Sequence, residues 1–521
     1  MDQYLKKKIG QLFIAGFPSA ELDNQVRRLM NDFGVCNYVL FARNLVNPRQ
    51  ASELCTDLTN LVLEGGSIFA PFIGVDQEGG LVTRIQSGAL LFPGPMALAA
   101  SEMDAANEIG YHTGRILRAM GINSNFAPVL DVNISPENPI IGTRAYGDDP
   151  ERVAKLGIDF MHGLMKAKVL SLVKHYPGHG NVSGDSHLEL PKNNTPKETL
   201  ESTEWMPFQN AFINGADALM TAHVCYVDID KRRPATLSPL IMHDLLRTHM
   251  GFCGLVFTDC MEMDAIKKHF GIGEGAVMAI EAGCDLLTFS HTLEAVEEAF
   301  RSIYDAVKGG RLQEARLDES LKRIAVVKTK YGLTGQQEID ADLAESLCYD
   351  ESLLELYGKI SEASVTLLSG SGKVEDIVRI DKKVFFSPES LALTGVEDEK
   401  QNRLCFSELC ARHLGGMSVV TPINGINEET ESILSRDFDA AVLGLYNARF
   451  RPGQVQLLRR LETLGKPLIV VLLGAPYDAQ LIKRADAVIA AYEYTPLSVK
   501  AVIKALKNNY FPGKTPVKLT L

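Results

Sequence analysis

Short apolar runs, each ending on a polar residue, recur along the first two thirds of the chain. They are Tyr38–Phe41 before Arg43-Asn44, Phe72–Val75 before Asp76, Phe126–Leu130 before Asp131 and Leu170–Val173 before Lys174-His175. Ala218–Thr221 before His223, Leu255–Thr258 before Asp259 and Asp285–Phe289 before Ser290-His291 continue the series. Runs of this length read as buried strands. Amphipathic segments separate them, such as Pro239–Met250 closed by Gly251 and Leu293–Val307 closed by Gly309-Gly310. Glycine just past a periodic segment is a helix stop. Strand alternating with helix predicts a parallel α/β architecture, and seven such units in one piece favour a closed (β/α)8-type TIM barrel over residues 1–335.

Residues 336–350 carry mixed charge without a core pattern and read as a linker. From 351 to 521 the alternation resumes with a different cadence. Strands are predicted at Ser364–Leu368, Lys383–Ser387, Met417–Val420, Ala440–Leu445, Pro467–Leu473 and Ala487–Ala491, with a helix at Gln454–Leu464 among those between. This is the pattern of a doubly wound α/β sandwich domain. Gly370-Ser371-Gly372-Lys373 imitates a phosphate loop, but Leu367 stands where the first glycine belongs and Val374 where a magnesium-holding hydroxyl belongs.

In a parallel barrel, chemistry gathers at the carboxyl ends of the strands. Asp76, Lys174, His175, His223 and Asp259 all fall there. The densest stretch is Leu170–Pro191, where an apolar run breaks into a loop punctuated by Pro177, Gly178, Gly180 and Gly184. That loop carries His175, His179, His187, Lys174 and Asp185. Asp185 and His187 are two apart, so in an extended loop they share a side, and the carboxylate can fix the imidazole tautomer for proton transfer. The plainer reading is a polar surface turn. A metal site on His175, His179 and His187 is a further reading, weakened because Pro177-Gly178 interrupts the helix that would align the first two.

Composition narrows the partners. A net charge of -12 argues against a polyanion such as nucleic acid. No run of ~18 apolar residues marks a membrane span. The nine cysteines are an odd number and lie mostly in apolar runs, which reads as free core thiols in a reducing, cytoplasmic compartment. The basic and apolar N-terminus imitates a signal peptide, but Gln11 and two glycines interrupt it and no cleavage site follows. Sequons at Asn133, Asn181 and Asn193 carry no weight in such a protein.

The stretch K-H-Y-P-G-H-G, four residues, then D-S-H resembles the signature loop of the β-N-acetylglucosaminidases of glycoside hydrolase family 3 in order and spacing. The resemblance is dense over residues 1–335 and looser beyond, where it extends to the C-terminal α/β sandwich of two-domain members. In the family, I-G-Q-L-F-I-x-G-F belongs to the first helix and turn of the mature fold. The resemblance implies that Asp259, in a T-D-x-x-x-M pattern, is the nucleophile, and that His187 oriented by Asp185 is the acid/base. It also implies that Asp76 and Arg84 (V-D-Q-E-G-G-L-V-T-R), Arg144 (I-I-G-T-R-A-Y-G), Lys174 and His175 hold an N-acetylglucosamine ring. His223 is a weaker match on the same rim. The residue types suit this chemistry, since carboxylates accept from vicinal hydroxyls and a guanidinium donates in a fixed fork. A helix N-cap is the structural alternative for Asp259, and a surface ion pair for each of the others.

Three readings follow. The first is a retaining β-N-acetylglucosaminidase acting on small oligosaccharides, cell-wall or chitin fragments through a covalent glycosyl-Asp intermediate. The second is a phosphorylase using phosphate as acceptor, because a neutral imidazole does not repel an anion as a carboxylate base would. The third is a non-catalytic sugar-binding protein. None requires a metal or an organic cofactor.

Overall fold

A computed structural model describes residues 2–182, 190–370, 372–389, 404–423 and 426–519. Eight parallel strands close into a barrel: β1 Phe13–Ala15, β2 Tyr38–Leu40, β3 Ile73–Val75, β4 Ser124–Asn125, β5 Leu170–Tyr176, β6 Ala218–Thr221, β7 Leu255–Cys260 and β8 Leu286–Phe289. β1 closes the ring by pairing with β8 (Phe13 with Leu287) on one side and with β2 (Ala15 with Tyr38) on the other. Helices wrap the outside, and their ends follow local chemistry. The Asp23 side chain caps the helix Asn24–Phe33, and Gly34 ends it in the left-handed region at φ 73°. Asn47 caps Pro48–Glu64, where proline takes a first-turn position that needs no N–H.

Aromatic rings fill the barrel interior. The Phe257 ring centroid lies 6.1 Å from those of both Phe72 and Phe126. Gly74 in β3 makes room for this plug, since a Cβ there would come within 2.6 Å of the Phe126 ring. Truncating a plug ring such as Phe257 to alanine would cost about 3–5 kcal/mol.

Two barrel strands differ from the sequence reading. Phe13–Ala15, expected within the first helix and turn, is instead β1, the strand that brings the predicted seven to eight; at three residues it is too short to show a period. The ladder expected at Phe126–Leu130 lies just upstream, at Ser124–Asn125. Pro128 has no N–H to give, and 126–130 leaves the regular ladder, held by the Phe126 N–H to the Val75 carbonyl (2.8 Å) and by a bridge between Val129 and Lys174. The segment at Pro239–Met250 is helical as expected, over Leu240–His249, but wound in the wider π form.

The second sheet contains β9 Thr366–Ser369, β10 Lys383–Ser387, β11 Met417–Val420, β12 Ala440–Leu445, β13 Leu468–Leu472 and β14 Ala487–Ala490. Their spatial order is β9-β14-β13-β12-β10-β11. β9 runs antiparallel to β14 and the remaining pairs are parallel. Separate apolar clusters cover its two faces, one around Phe385, Ile469 and Tyr494 and the other around Phe386, Val470 and Leu458. This is the doubly wound sandwich. Between barrel and sandwich, Ala341–Cys348 forms a helix whose Ala344, Leu347 and Cys348 are buried in the same cluster as barrel-helix residues Cys55, Leu58 and Leu117.

All nine cysteines are free, with Cys253 exposed and Cys260 half-buried. Among the described residues, no helix is long and apolar enough to cross a membrane.

Candidate active site

The carboxyl ends of the barrel strands surround a cavity of about 380 Å³. Asp76, Arg84, Arg144, Lys174, His175, His179 and Asp259 line it with Arg43, Glu262 and His291, and Phe41, Phe126, Met220 and Met263 supply apolar wall.

Two strand irregularities place the key side chains. Plain alternation sends consecutive residues to opposite faces. Between β5 and β6 the register passes from Val173–Leu219 to Tyr176–Thr221, so β5 carries one extra residue around Lys174-His175. Between β7 and β8 it passes from Phe257–Leu286 to Cys260–Thr288, an extra residue at Thr258-Asp259. Such bulges re-aim side chains beside active sites. Here Lys174 and His175 both line the cavity, as do Asp259 and Cys260.

One wall is a buried charge network. Asp76 follows β3, and a tight hairpin, Gln77–Gly79 with Val82–Thr83, leads to Arg84. Lys174 Nζ lies 2.7 Å from Asp76 Oδ1 and 2.6 Å from Glu78 Oε1. Arg144 donates through Nε (2.9 Å) and Nη2 (2.8 Å) to the two oxygens of Glu78, and Arg84 Nη2 reaches Asp76 Oδ2 at 3.3 Å. Burial pushes both carboxyls up in pKa. Lys174 and Arg84 outweigh it at Asp76, and Arg144 and Lys174 outweigh it at Glu78, so both stay below the usual carboxylate range.

A second buried carboxylate sets the histidines. Asp131 Oδ2 lies 2.7 Å from His175 Nδ1, and Asp131 Oδ1 accepts the His179 backbone N–H at 2.6 Å. Burial raises the Asp131 carboxyl, and His175 more than offsets this. On the other side of its ring, His175 Nε2 lies 3.5 Å from Arg144 Nη2. Burial, and then the proximity of His175, hold His179 down to about 4, so it is neutral near pH 7.

Asp259 stands opposite, at the end of β7. Its Oδ1 accepts the Cys260 N–H at 2.7 Å. The helix downstream begins at Asp264 with Met263 as its cap residue, so Asp259 is no N-cap. Glu262 ties this turn to the end of β8 by accepting the backbone N–H groups of Ser290 (2.7 Å), His291 (2.8 Å) and Thr292 (3.0 Å). Burial pushes the Cys260 thiol up to about 12, so it is protonated at neutral pH.

The structure therefore brings Asp76, Arg84, Arg144, Lys174, His175 and Asp259 to one cavity. His223 lies outside the lining. It is wholly buried, with Nδ1 2.8 Å from Thr236 Oγ1 and Nε2 3.0 Å from the Cys260 carbonyl oxygen, where it supports the turn after Asp259. Asp185 and His187 fall outside the described residues. Sequence reasoning passed over Glu78, Asp131, Glu262 and Arg43 as site residues. Glu78 stood inside the D-x-E-G-G motif, and Asp131 and Arg43 each followed an apolar run; Glu262 carried no comparable signal.

The model of the glycosyl hydrolase family 3 N-terminal domain matches residues 4–327. The chain belongs to this family. Family 3 relatives run along nearly its whole length. Beta-hexosaminidase A of Pseudoalteromonas piscicida is 27% identical over 525 residues, covering 91% of this chain and 85% of the relative. A beta-hexosaminidase of Neisseria meningitidis serogroup C is 34% identical over 295 residues, covering 55% of this chain and 80% of the relative. The solved structure of a family 3 beta-N-acetylglucosaminidase from Paenibacillus sp. str. FPU-7 superposes with a TM-score of 0.89 at 34% identity, covering 99% of this chain and 98% of that one. The family 3 assignment thus extends across both barrel and sandwich. Among the described residues, no group of three or more His, Cys, Asp or Glu is placed to hold a metal ion.

Proposed function

We propose that the protein is a retaining β-N-acetylglucosaminidase that removes terminal β-linked N-acetylglucosamine from small oligosaccharides. The observation that carries this is a single cavity in which the carboxylate of Asp259 meets a wall of hydroxyl-binding groups, Asp76, Arg84, Arg144, Lys174 and His175. Relatives named beta-hexosaminidase and a solved beta-N-acetylglucosaminidase of the same two-domain length support the substrate class.

In this reading, Asp76 accepts from sugar hydroxyls while the fork of Arg84 donates. Lys174, Arg144 and His175 complete the ring's polar contacts. Asp259 attacks the anomeric carbon and forms a glycosyl ester as the aglycone oxygen leaves. His187, oriented by Asp185, gives its proton to that oxygen. It then takes one from the incoming water, which cleaves the ester and regenerates Asp259. The described residues that flank this pair are anchored beside β5 and β6. Upstream, Val182 is buried in the barrel core. Downstream, Pro191 O accepts the Cys225 N–H at 2.9 Å, and Lys192–Asn193 pairs with Cys225–Tyr226.

A slow fluorinated N-acetylglucosaminide that accumulates the glycosyl-enzyme tests the scheme. Mass spectrometry of the digested protein is expected to find the added sugar on the peptide containing Asp259. A label on another carboxylate, or none with turnover intact, refutes it. Running the same assay with inorganic phosphate distinguishes hydrolysis, which releases free sugar, from phosphorolysis, which releases sugar 1-phosphate.

A further inference from the structure

We propose that the second domain positions the sugar-binding wall, with Glu493 and Leu81 as the positioning residues. The inference rests on the reading that Asp76, Arg84 and Arg144 hold the sugar. Asp76, Glu78 and Arg84 all belong to the hairpin that turns at Gly80-Leu81, and the tip of that hairpin is seated in the sandwich. Leu81 packs against the sandwich cluster that includes Phe385, Ile469 and Tyr494. Glu493 follows β14 and is 2% exposed. One of its carboxylate oxygens accepts the Gly94 N–H at 2.7 Å and the other accepts from Thr495 Oγ1 at 2.9 Å. The same carboxylate presses on the hairpin turn, since a Cβ at Gly80, whose φ is +60°, would lie 2.7 Å from Glu493 Oε2.

A second strut reaches the Arg144 loop. Tyr477 of the sandwich donates its hydroxyl to the Asn133 carbonyl at 3.0 Å. The Asn133 amide in turn donates to Tyr477 Oη and to the Gly142 carbonyl, each at 3.2 Å. Arg449 spans the same seam, with Nη1 2.8 Å from both the Pro136 carbonyl and Glu137 Oε1. The loops presenting Arg84 and Arg144 are therefore fixed from behind by the second domain, while Asp259 sits on β7 within the barrel. Loosening the struts displaces the hydroxyl-binding groups and leaves the nucleophile in place. Such a change weakens ground-state sugar binding more than it slows the attack.

The test is steady-state kinetics of the full chain on a chromogenic N-acetylglucosaminide. Glu493→Ala and Leu81→Ala are each expected to raise KM by about tenfold with kcat within about threefold. Glu493→Gln, whose amide oxygen still accepts from Gly94, is expected to return KM to within about twofold of the parent. Asp76→Ala is run beside them. An unchanged KM in Asp76→Ala removes the subsite reading and this inference with it. A raised KM in Asp76→Ala with parental constants in both Glu493→Ala and Leu81→Ala overturns the positioning role alone. A fall in kcat at unchanged KM, the mark of a smaller folded fraction, also overturns it. Leu81→Ala keeps the test decisive if Glu493→Ala fails to fold.

Discussion

Glu78 Oε1 lies 2.6 Å from Lys174 Nζ, and both side chains are nearly inaccessible to water. Removing either leaves the other's buried charge only partly compensated, by Asp76 for Lys174 and by Arg144 for Glu78, and a poorly compensated buried charge is far costlier than the pair is stabilising. Glu78 also neutralises Arg144. Glu78→Ala leaves Lys174 with Asp76, and Arg144 with the more indirect fields of Asp131 and Asp76. We expect a loss of roughly 3–5 kcal/mol of stability in urea unfolding and a severe loss of kcat/KM. An exposed control pair such as Arg28–Asp32 should contribute under about 1 kcal/mol.

Asp259→Ala should abolish turnover while leaving the thermal midpoint near that of the parent, because the side chain faces the cavity. His187→Ala should slow natural glycosides by about a hundredfold or more. The deficit should shrink for leaving groups acidic enough to depart without a proton. A leaving-group series of aryl glycosides checks this, and a uniform deficit across the series contradicts the acid role.

His179 predicts a window of pH-dependent stability. Its folded-state value of about 4 lies below the ordinary 6.5, so between those values the unfolded chain takes a proton that the fold refuses. The fold is therefore unaffected by this group above pH 6.5 and loses stability as the pH falls toward 4, by an amount on the order of 3 kcal/mol. Asp76 and Glu78 act lower. Their depressed values stabilise the fold above the ordinary 3.8 and 4.5 and lose that contribution on further acidification. Urea midpoints from pH 7 to 4.5 should fall more steeply for the parent than for His179→Asn; equal slopes refute the assignment.

Gly180→Ala should disable the loop after β5. An added Cβ would lie 1.7 Å from the Val132 carbonyl oxygen, closer than backbone atoms can approach without moving. The Gly180 carbonyl accepts the Ser135 N–H at 3.2 Å, so this contact also ties the β4 and β5 loops together. We expect lower stability and at least a tenfold loss of kcat/KM, about the effect of misplacing a binding group by an ångström. Parental kinetics in this variant would show that the loop can shift without consequence.

The barrel was readable because six of its strands hold an apolar run that gives way to polar residues, a signal that is local to each strand. β1 was not, since Phe13–Ala15 gains its identity from pairing with Leu287 and Tyr38, far away in sequence. The Ser124–Asn125 strand was displaced in the reading because the apolar letters fall at Phe126–Leu130, where Pro128 has no N–H to give and the regular ladder shrinks to one bridge, Val129 with Lys174. In the site, motif spacing located Asp76, Arg84, Arg144, Lys174, His175 and Asp259. It did not reveal that Asp131 orients His175 from 44 positions away, or that Glu78 joins two cations. Such pairings are set by tertiary geometry, which no local pattern records. His223 shows the converse. A strand-end position suggested the rim, but the side chain turns down to meet Thr236 and the Cys260 carbonyl.

The extra residues in β5 and β7 limit how this chemistry can be transplanted. A host barrel with eight regular strands could display Lys174 or His175, and Asp259 or Cys260, but not both members of each couple. Grafting the constellation elsewhere would require importing the two irregularities along with the side chains. Shortening either strand by one residue to tidy its pleat should dismantle the site while leaving the barrel closed.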